Sequence, residues 1–249
     1  MISSPSDLTV SVVVPAYNEE RRLPSSIRKI LDFMRNDPRI SEIVLVDDGS
    51  RDATRTIMLD AAERNPAVRV VSYSENGGKG YAIRRGALAA SRGMAVLVTD
   101  ADLSTPIEDF NRLADRLQNH DIAIGSRAMA MSEIGIEQVW YRRFMGRTFN
   151  RIMRLITGIP FDDTQCGFKL FSARAAAETF PLAVIDRFAY DVELIVLANR
   201  AGLSVAEVPV HWDDSSDSRV RIVRDSFLML LDVIRIRLRL GAFHRRPVR

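Results

Sequence analysis

Apolar residues along this chain fall into two kinds of run. Short continuous runs at residues 9–14, 43–46, 68–73 and 94–99 are rich in β-branched side chains. Such runs predict strands covered on both faces, as in a parallel sheet. Between them the period changes: Leu23, Ile27, Ile30, Leu31 and Met34 recur at helical spacing, and helices are also expected before Arg64-Asn65-Pro66 and after Gly80. Asp52 is placed to cap the helix that ends near Arg64-Asn65-Pro66. Alternating strands and helices predict an α/β fold, a mostly parallel central sheet with helices on both faces. Each of the first four strands ends in a polar loop, so a site is expected at that edge.

The second half is less regular. A helix is expected over 107–117, a short strand at Ile122-Ala123-Ile124 closed by Gly125-Ser126-Arg127, and a long helix over 139–157. The polar positions of that long helix are mostly basic: Arg142, Arg143, Arg147, Arg151 and Arg154. A strand at Leu170-Phe171, helices over 174–180 and 191–201, a strand over 205–210 and a basic amphipathic helix follow. No repeat or linker interrupts the pattern, so one domain over 1–218 with an extension over 219–249 is predicted.

The composition is that of an ordinary globular protein, and its formal net charge of +3 is too small to indicate nucleic-acid binding. The charge is uneven, however. From Arg219 onward there are nine arginines against Asp225 and Asp232, which points to an anionic surface such as a membrane. The apolar stretch at 226–240 is broken by Asp232, Arg235, Arg237 and Arg239, so a spanning helix is not expected. The first residues lack the apolar core of a signal peptide. Cys166 is the single cysteine, which excludes an intrachain disulfide and suits a reducing, cytoplasmic setting.

The chemistry concentrates in the loops. Asp100-Ala101-Asp102 follows a buried strand, where two carboxylates can hold a hard divalent cation and, through it, phosphate oxygens. The same pattern also suits a solvated loop or a helix cap. Asp47-Asp48 ends the second strand, where a carboxylate can meet a ribose or base, although Asp-Asp-Gly-Ser is also an ordinary turn. The loop from Asn76 to Gly80 has the context of a phosphate cradle before a helix, and Lys79 could neutralise a diphosphate. It matches neither the P-loop nor the Gly-x-Gly-x-x-Gly fingerprint, so a nucleoside triphosphatase or dehydrogenase is not expected. Cys166 has no basic neighbour in sequence to make it a nucleophile. His120 and His211 form no metal-ligand pair.

Taken together, the segments SVVVPAYNEE, VLVDDGSRDAT and VTDADLSTP resemble the family-2 glycosyltransferases of the GT-A fold, and the likeness extends over nearly the whole chain. NGGKGYAIRRG, DTQCGFKLF, FAYDVELIVLA and VPVHW resemble, within that family, the polyprenyl-phosphate sugar synthases, and dolichyl-phosphate glucosyltransferases above all. The resemblance implies a nucleoside pocket lined by Pro15, Tyr17, Glu19 and Asp47, and Asp100 and Asp102 facing the donor diphosphate and its Mg²⁺ or Mn²⁺. It further implies Arg127 and Arg143 at the acceptor phosphate, and Asp163, Gln165 and Lys169 near the reacting centre. UDP-glucose is favoured as donor over GDP-mannose, because the NGGKG and QCGFK segments usually read differently in mannose synthases. Eukaryotic members carry an N-terminal membrane anchor; none is expected here, and peripheral attachment to a membrane surface is expected instead.

A lipid phosphate acceptor is already anionic and needs no strong general base. Transfer to a sugar hydroxyl would need one, and Asp191 is the candidate for that rival. A second rival is a non-catalytic regulator that binds sugar nucleotides, against which the intact Asp100/Asp102 pair argues.

Overall fold

The computed structural model describes residues 8–129, 152–213 and 222–241. Strands β1 (Val10–Ala16), β2 (Ile40–Asp47), β3 (Val68–Ser72) and β4 (Ala95–Val98) alternate with helices α1 (Leu23–Asn36), α2 (Thr54–Arg64) and α3 (Lys79–Ala89). All seven residues of β1 and all four of β4 are buried, as the continuous apolar runs predict. β1 pairs in parallel with β2 and β4, and β2 with β3.

The side chains of β1 alternate across the sheet. Val12 and Val14 enter one core with Leu23, Ile27 and Ile30 of α1. Val13 enters the other with Ala82 and Ile83 of α3. This period of two divides one strand between both layers, and each fully buried aliphatic side chain contributes about 1.5–3 kcal/mol.

The second half supplies α4 (Phe110–Leu117, preceded by a 3₁₀ turn at Ile107–Asp109), β5 (Ile122–Ser126), α5 (152–157), β6 (Lys169–Ser172), α6 (Ala173–Thr179), α7 (Tyr190–Arg200), β7 (Val205–Pro209) and α8 (Ile222–Leu240). The helix expected over 139–157 is described only from residue 152; its earlier part lies outside the described residues. Among the described residues the sheet has seven strands in the order β3-β2-β1-β4-β6-β5-β7. β6 lies antiparallel to both β4 and β5, with Lys169 opposite Val98 and Ile124. Because β6 runs backwards, its first residues stand beside the last residues of β4. The loop that leads into β6 therefore reaches the edge where the first four strands end.

α7 is almost wholly enclosed, from Tyr190 to Asn199. α8, set apart in the sequence as an extension, lies against the core through Met229, Val233, Ile236 and Leu240. Asp232 receives Arg187 (Nη2 to Oδ1, 3.1 Å), and Arg239 reaches Glu193 (2.6 Å). The opposite face of α8 is also apolar: Phe227, Leu231, Ile234 and Leu238 stand exposed, Leu238 at 82 %. Among the described residues no helix is long and apolar enough to cross a membrane.

Candidate active site

A cleft of about 790 Å³ opens at the strand-end edge. Of the residues singled out in the sequence, Pro15, Tyr17, Glu19, Lys79, Asp100, Asp102, Arg127, Gln165 and Asp191 line it. Asp47, Asp163 and Lys169 do not, and Arg143 lies outside the described residues. The volume falls within the range of small-molecule sites, about 300–1,000 Å³.

The loop after β4 is a tight turn. Leu103 N donates to Asp100 O (3.1 Å), Leu103 adopts a left-handed φ of 48°, and Asp102 Oδ1 accepts from Ser104 N (3.1 Å). Non-glycine residues in that region are uncommon and gather at functional sites. Ser26 of α1 ties the turn down by donating to Ala101 O (2.6 Å). Asp100 is then fixed from two sides. Lys79 Nζ stands 2.6 Å from its Oδ1, and Gly167 lies so near that a Cβ there would come within 2.2 Å of its Oδ2. Glycine at 167 is thus a matter of space. Burial acts against the charge of Asp100, yet Lys79, Lys169 and Arg127 outweigh it and hold the carboxyl below its usual range. For Lys79 burial again opposes the charge, and Asp100, Asp191 and Asp102 raise its affinity for the proton above the ordinary lysine value.

Asp102 is less tightly held. Arg22 Nη1 is 3.6 Å from its Oδ2, while the Arg22 fork closes on Glu19 through Nε (2.7 Å) and Nη2 (2.6 Å). Arg22 is absent from the sequence expectation, although its place three residues after Glu19 at a helix start is the spacing of such a pair.

The carboxylate that reaches the cleft from the end of β2 is Asp48, not Asp47. Asp47 is 1 % exposed and its Oδ1 accepts from Ser50 N (3.0 Å), which closes the turn beneath the cleft. Asp48 accepts from Tyr73 Oη (2.6 Å), Asn76 Nδ2 (2.8 Å), Gly77 N (2.8 Å) and Gly78 N (3.0 Å). The backbone donors expected to cradle phosphate are therefore used on Asp48. Gly78, at φ 98°, brings the loop round into α3. Asn76 and Gly78 also border the cleft, but the charged group the loop offers it is the side chain of Lys79.

Two further ion pairs support the floor. Arg127 makes a two-pronged contact with Asp163, whose side chain is 3 % exposed, and its guanidinium stands 5.4 Å from the centre of the Trp212 ring. Lys169 is buried, with its ammonium on Asp191 Oδ1 and on Cys166 O. Burial raises the Asp191 carboxyl above its usual range, against the pull of Lys169 and Lys79. Burial likewise raises the Cys166 thiol, helped by Asp163, which keeps it an inert core side chain. Asp163 and Lys169 thus act on the cleft through Arg127 and Asp191.

Arg187, Phe188 and Trp212, and Arg224 and Met229 of α8, complete the wall. Phe188 and Trp212 belong to the FAYDVELIVLA and VPVHW segments that carry the resemblance, although it implies no role for either; Arg187, Arg224 and Met229 are absent from the sequence expectation. His211 holds the Trp212 segment in place, its backbone N and Nδ1 meeting the two Asp109 oxygens at 2.6 and 2.8 Å.

A family profile described as Glycosyl transferase family 2 matches residues 11–180. The chain belongs to this family. Among curated family-2 relatives, a dolichyl-phosphate beta-glucosyltransferase of Dictyostelium discoideum is 36 % identical over 94 % of this chain and 75 % of its own length. Enzymes of that name from Drosophila melanogaster and Homo sapiens are 38 % and 35 % identical, over 87 % and 92 % of this chain and 70 % and 75 % of their own. Among solved structures, a mannosyl-3-phosphoglycerate synthase of Rubrobacter xylanophilus superposes with a TM-score of 0.71 at 18 % identity, covering 97 % of this chain and 79 % of that one. A Mycobacterium tuberculosis glucosyl-3-phosphoglycerate synthase, in complex with Mn²⁺, UDP and glucosyl-3-phosphoglycerate, superposes at 0.68 with 22 % identity, covering 94 % and 81 %. These likenesses establish the GT-A-type fold of this family-2 glycosyltransferase.

Proposed function

We propose that this chain transfers glucose from UDP-glucose to a dolichyl or other polyprenyl phosphate, with inversion at the anomeric carbon. The observation that carries the reading is the cleft itself, in which Asp100 and Asp102 face a wall of cations while the relatives that cover most of the chain are dolichyl-phosphate beta-glucosyltransferases. A β-linked product from an α-linked donor requires attack from the side opposite the leaving diphosphate.

Asp100 and Asp102 fit a Mg²⁺ or Mn²⁺ ion. Both present hard carboxylate oxygens to one cleft, and Gly167 leaves the room Asp100 needs. Among the described residues no larger cluster of His, Cys, Asp and Glu is gathered, which suits an ion that shares its coordination with a bound diphosphate. The ion would supply charge neutralisation to the departing nucleoside diphosphate. The chain's own residues do the rest. Pro15, Tyr17 and Glu19 border the nucleoside end, Lys79 offers a cation to the diphosphate, and Gln165 and Asp191 border the sugar. Arg127, held in one orientation by Asp163, relieves repulsion between the two phosphates.

Asp191 gives the rival reading its one specific support, since it lines the cleft with a raised pKa, as a general base should. Against that role, one of its oxygens is held by Lys169.

The outer stripe of α8 supports peripheral attachment to a membrane. Apolar side chains spaced along one face, with Arg224, Arg235 and Arg237 exposed beside them, suit the headgroup boundary of an anionic bilayer. The same helix carries Arg224 and Leu228 into the cleft wall, so the mouth would open close to that boundary.

The decisive experiment supplies purified protein with polyprenyl phosphate, Mn²⁺ and either UDP-glucose or GDP-mannose. Transfer from UDP-glucose to the lipid is expected. Transfer from GDP-mannose alone, or from UDP-glucose only to a sugar alcohol, would overturn the assignment.

A further inference from the structure

Of the carboxylates in the cleft, Asp100 and Asp102 are unequally guarded, and the difference bears on how a metal ion could enter. On Asp102 the cation within ion-pair range among the described residues is Arg22 at 3.6 Å, and that guanidinium has its two-pronged contact elsewhere, on Glu19. On Asp100 the guard is a direct contact, Lys79 Nζ at 2.6 Å from Oδ1. Lys79 is the first residue of α3, and its backbone is tied down. Tyr81 N donates to Asp186 O (3.1 Å) and Gly77 and Gly78 to Asp48, so the ammonium can move only as far as its four-carbon stem allows. Two other acids lie within its field: Asp191, which already holds Lys169, and Asp102, the second carboxylate that the ion would take. On the Oδ2 side Asp100 faces Gly167, which has no side chain to offer it.

From this geometry we infer that Lys79 competes with the metal ion for Asp100, so that the ion binds weakly until a nucleoside diphosphate arrives to take the lysine. The inference rests on the metal-and-donor reading of the cleft. With the cleft empty, an incoming divalent cation must displace the ammonium from Asp100 and leave it near a like charge, with Asp102 taken by the ion and Asp191 already holding Lys169. A diphosphate removes that obstacle, because its oxygens accept the ammonium while the ion takes the carboxylate. Metal and nucleotide then reinforce each other through one side chain, and by linkage each raises the affinity of the other by the same factor. Such an arrangement keeps the ion from occupying the site without a donor. It gives Lys79 a positioning role beyond neutralising the leaving group.

The test is Mn²⁺ binding, followed by the loss of the free-ion electron paramagnetic resonance signal, for the wild type and for Lys79→Met, each with and without UDP. No acceptor and no turnover are involved. In the wild type, UDP is expected to tighten Mn²⁺ binding within the ~5–150-fold range usual for coupled sites. In Lys79→Met, Mn²⁺ alone should bind several-fold more tightly than to the wild type, and the gain on adding UDP should shrink. Repeating the titration near 1 M salt, where the Debye length is about 3 Å, separates direct competition from a general field effect. Competition at contact distance survives the salt, and an effect that vanishes there overturns the inference. Lys79→Gln, with circular dichroism on both variants, guards against a local packing fault at the start of α3. Equal Mn²⁺ affinity of wild type and both variants without UDP also overturns it, while leaving the metal site standing. If the wild type holds no Mn²⁺ even with UDP, the metal reading falls, and the competition with it.

Discussion

Arg127 and Asp163 are joined three times over: Nε to Oδ2 at 2.7 Å, Nη2 to Oδ1 at 2.9 Å, and the Arg127 backbone N to Oδ2 at 3.0 Å. The pair links the end of β5 to the loop that enters β6, across 36 residues of sequence. It also turns the guanidinium toward Trp212 and the cleft.

Burial pushes the Asp163 carboxyl upward, and Arg127, by its charge and its hydrogen bonds, outweighs this and holds it below the usual range. A lowered carboxylate pKa adds stability that is complete above the unfolded value, near 3.9, and disappears as pH falls through the folded value. Asp163→Asn is therefore expected to destabilise the protein at pH 7 by about 3 kcal/mol, near the lower end for breaking a buried pair. The gap between variant and wild type should be constant down to about pH 4 and close below it. Urea melts over a series of pH values measure this; a gap that persists unchanged at the lowest pH at which both fold contradicts it.

Asp102→Asn removes one metal-ligand charge and keeps the shape of the loop, including the acceptor for Ser104 N. Turnover is expected to fall ~10²-fold or more, in proportion to lost charge stabilisation in the transition state, with the circular dichroism spectrum unchanged. Near-native turnover by the folded variant across a Mn²⁺ titration would rule out a metal held by this loop.

For a phosphate acceptor, Asp191→Asn should lose less than the ~10²–10⁴-fold that a general base contributes. Its larger effect is expected on stability, because Lys169, 1 % exposed, would be left with a neutral partner. Single-turnover rates and melting curves on the same preparation separate the two. A loss within the general-base range in the chemical step, with unaltered stability and donor binding, would favour the hydroxyl-acceptor rival.

The outer face of α8 can be altered without touching its inner one. Replacing Phe227, Leu231 and Leu238 by Ser is expected to weaken binding to anionic liposomes while leaving Met229, Val233 and Ile236 in the core. Binding by the unaltered chain should itself fall with ionic strength, since each basic residue near such a surface contributes about 1 kcal/mol that salt screens. Sedimentation with vesicles reads both. Undiminished binding by the folded triple variant would remove α8 as the point of attachment.

The first half of the fold is legible in the sequence because parallel strands buried on both faces must be apolar throughout, and β1 and β4 are. The direction of β6 is not legible, since a short buried strand carries the same residues whichever way it runs. Asp47 and Asp48 show a different limit. Neighbouring residues of extended chain point to opposite sides, so the sequence offers two carboxylates and no sign of which meets the cleft. Lys169 illustrates a third. A lysine in sequence suggests a cation at a surface, whereas this one is enclosed and spent on Asp191. Arg187 and Arg224 reach the cleft only because the loop before α7 and the helix α8 come together there, a contact between segments about 40 residues apart.

β6 has a consequence for the order in which the molecule can be assembled. It stands between β4 and β5, although the chain makes it after both. Until residues 169–172 emerge during synthesis, β4 has an open edge that no earlier segment fills, and β5 has no partner through which to join the rest. Closing the pairing of Val98 with Lys169 joins segments far apart in sequence, a slow event by the entropy of loop closure. The amides of β4 and β5 that face β6 should therefore gain protection together and late in pulse-labelled hydrogen exchange, after those shared by β1 and β2. Unfilled sheet edges invite pairing with other chains, so this interval is when a nascent copy is most exposed to aggregation.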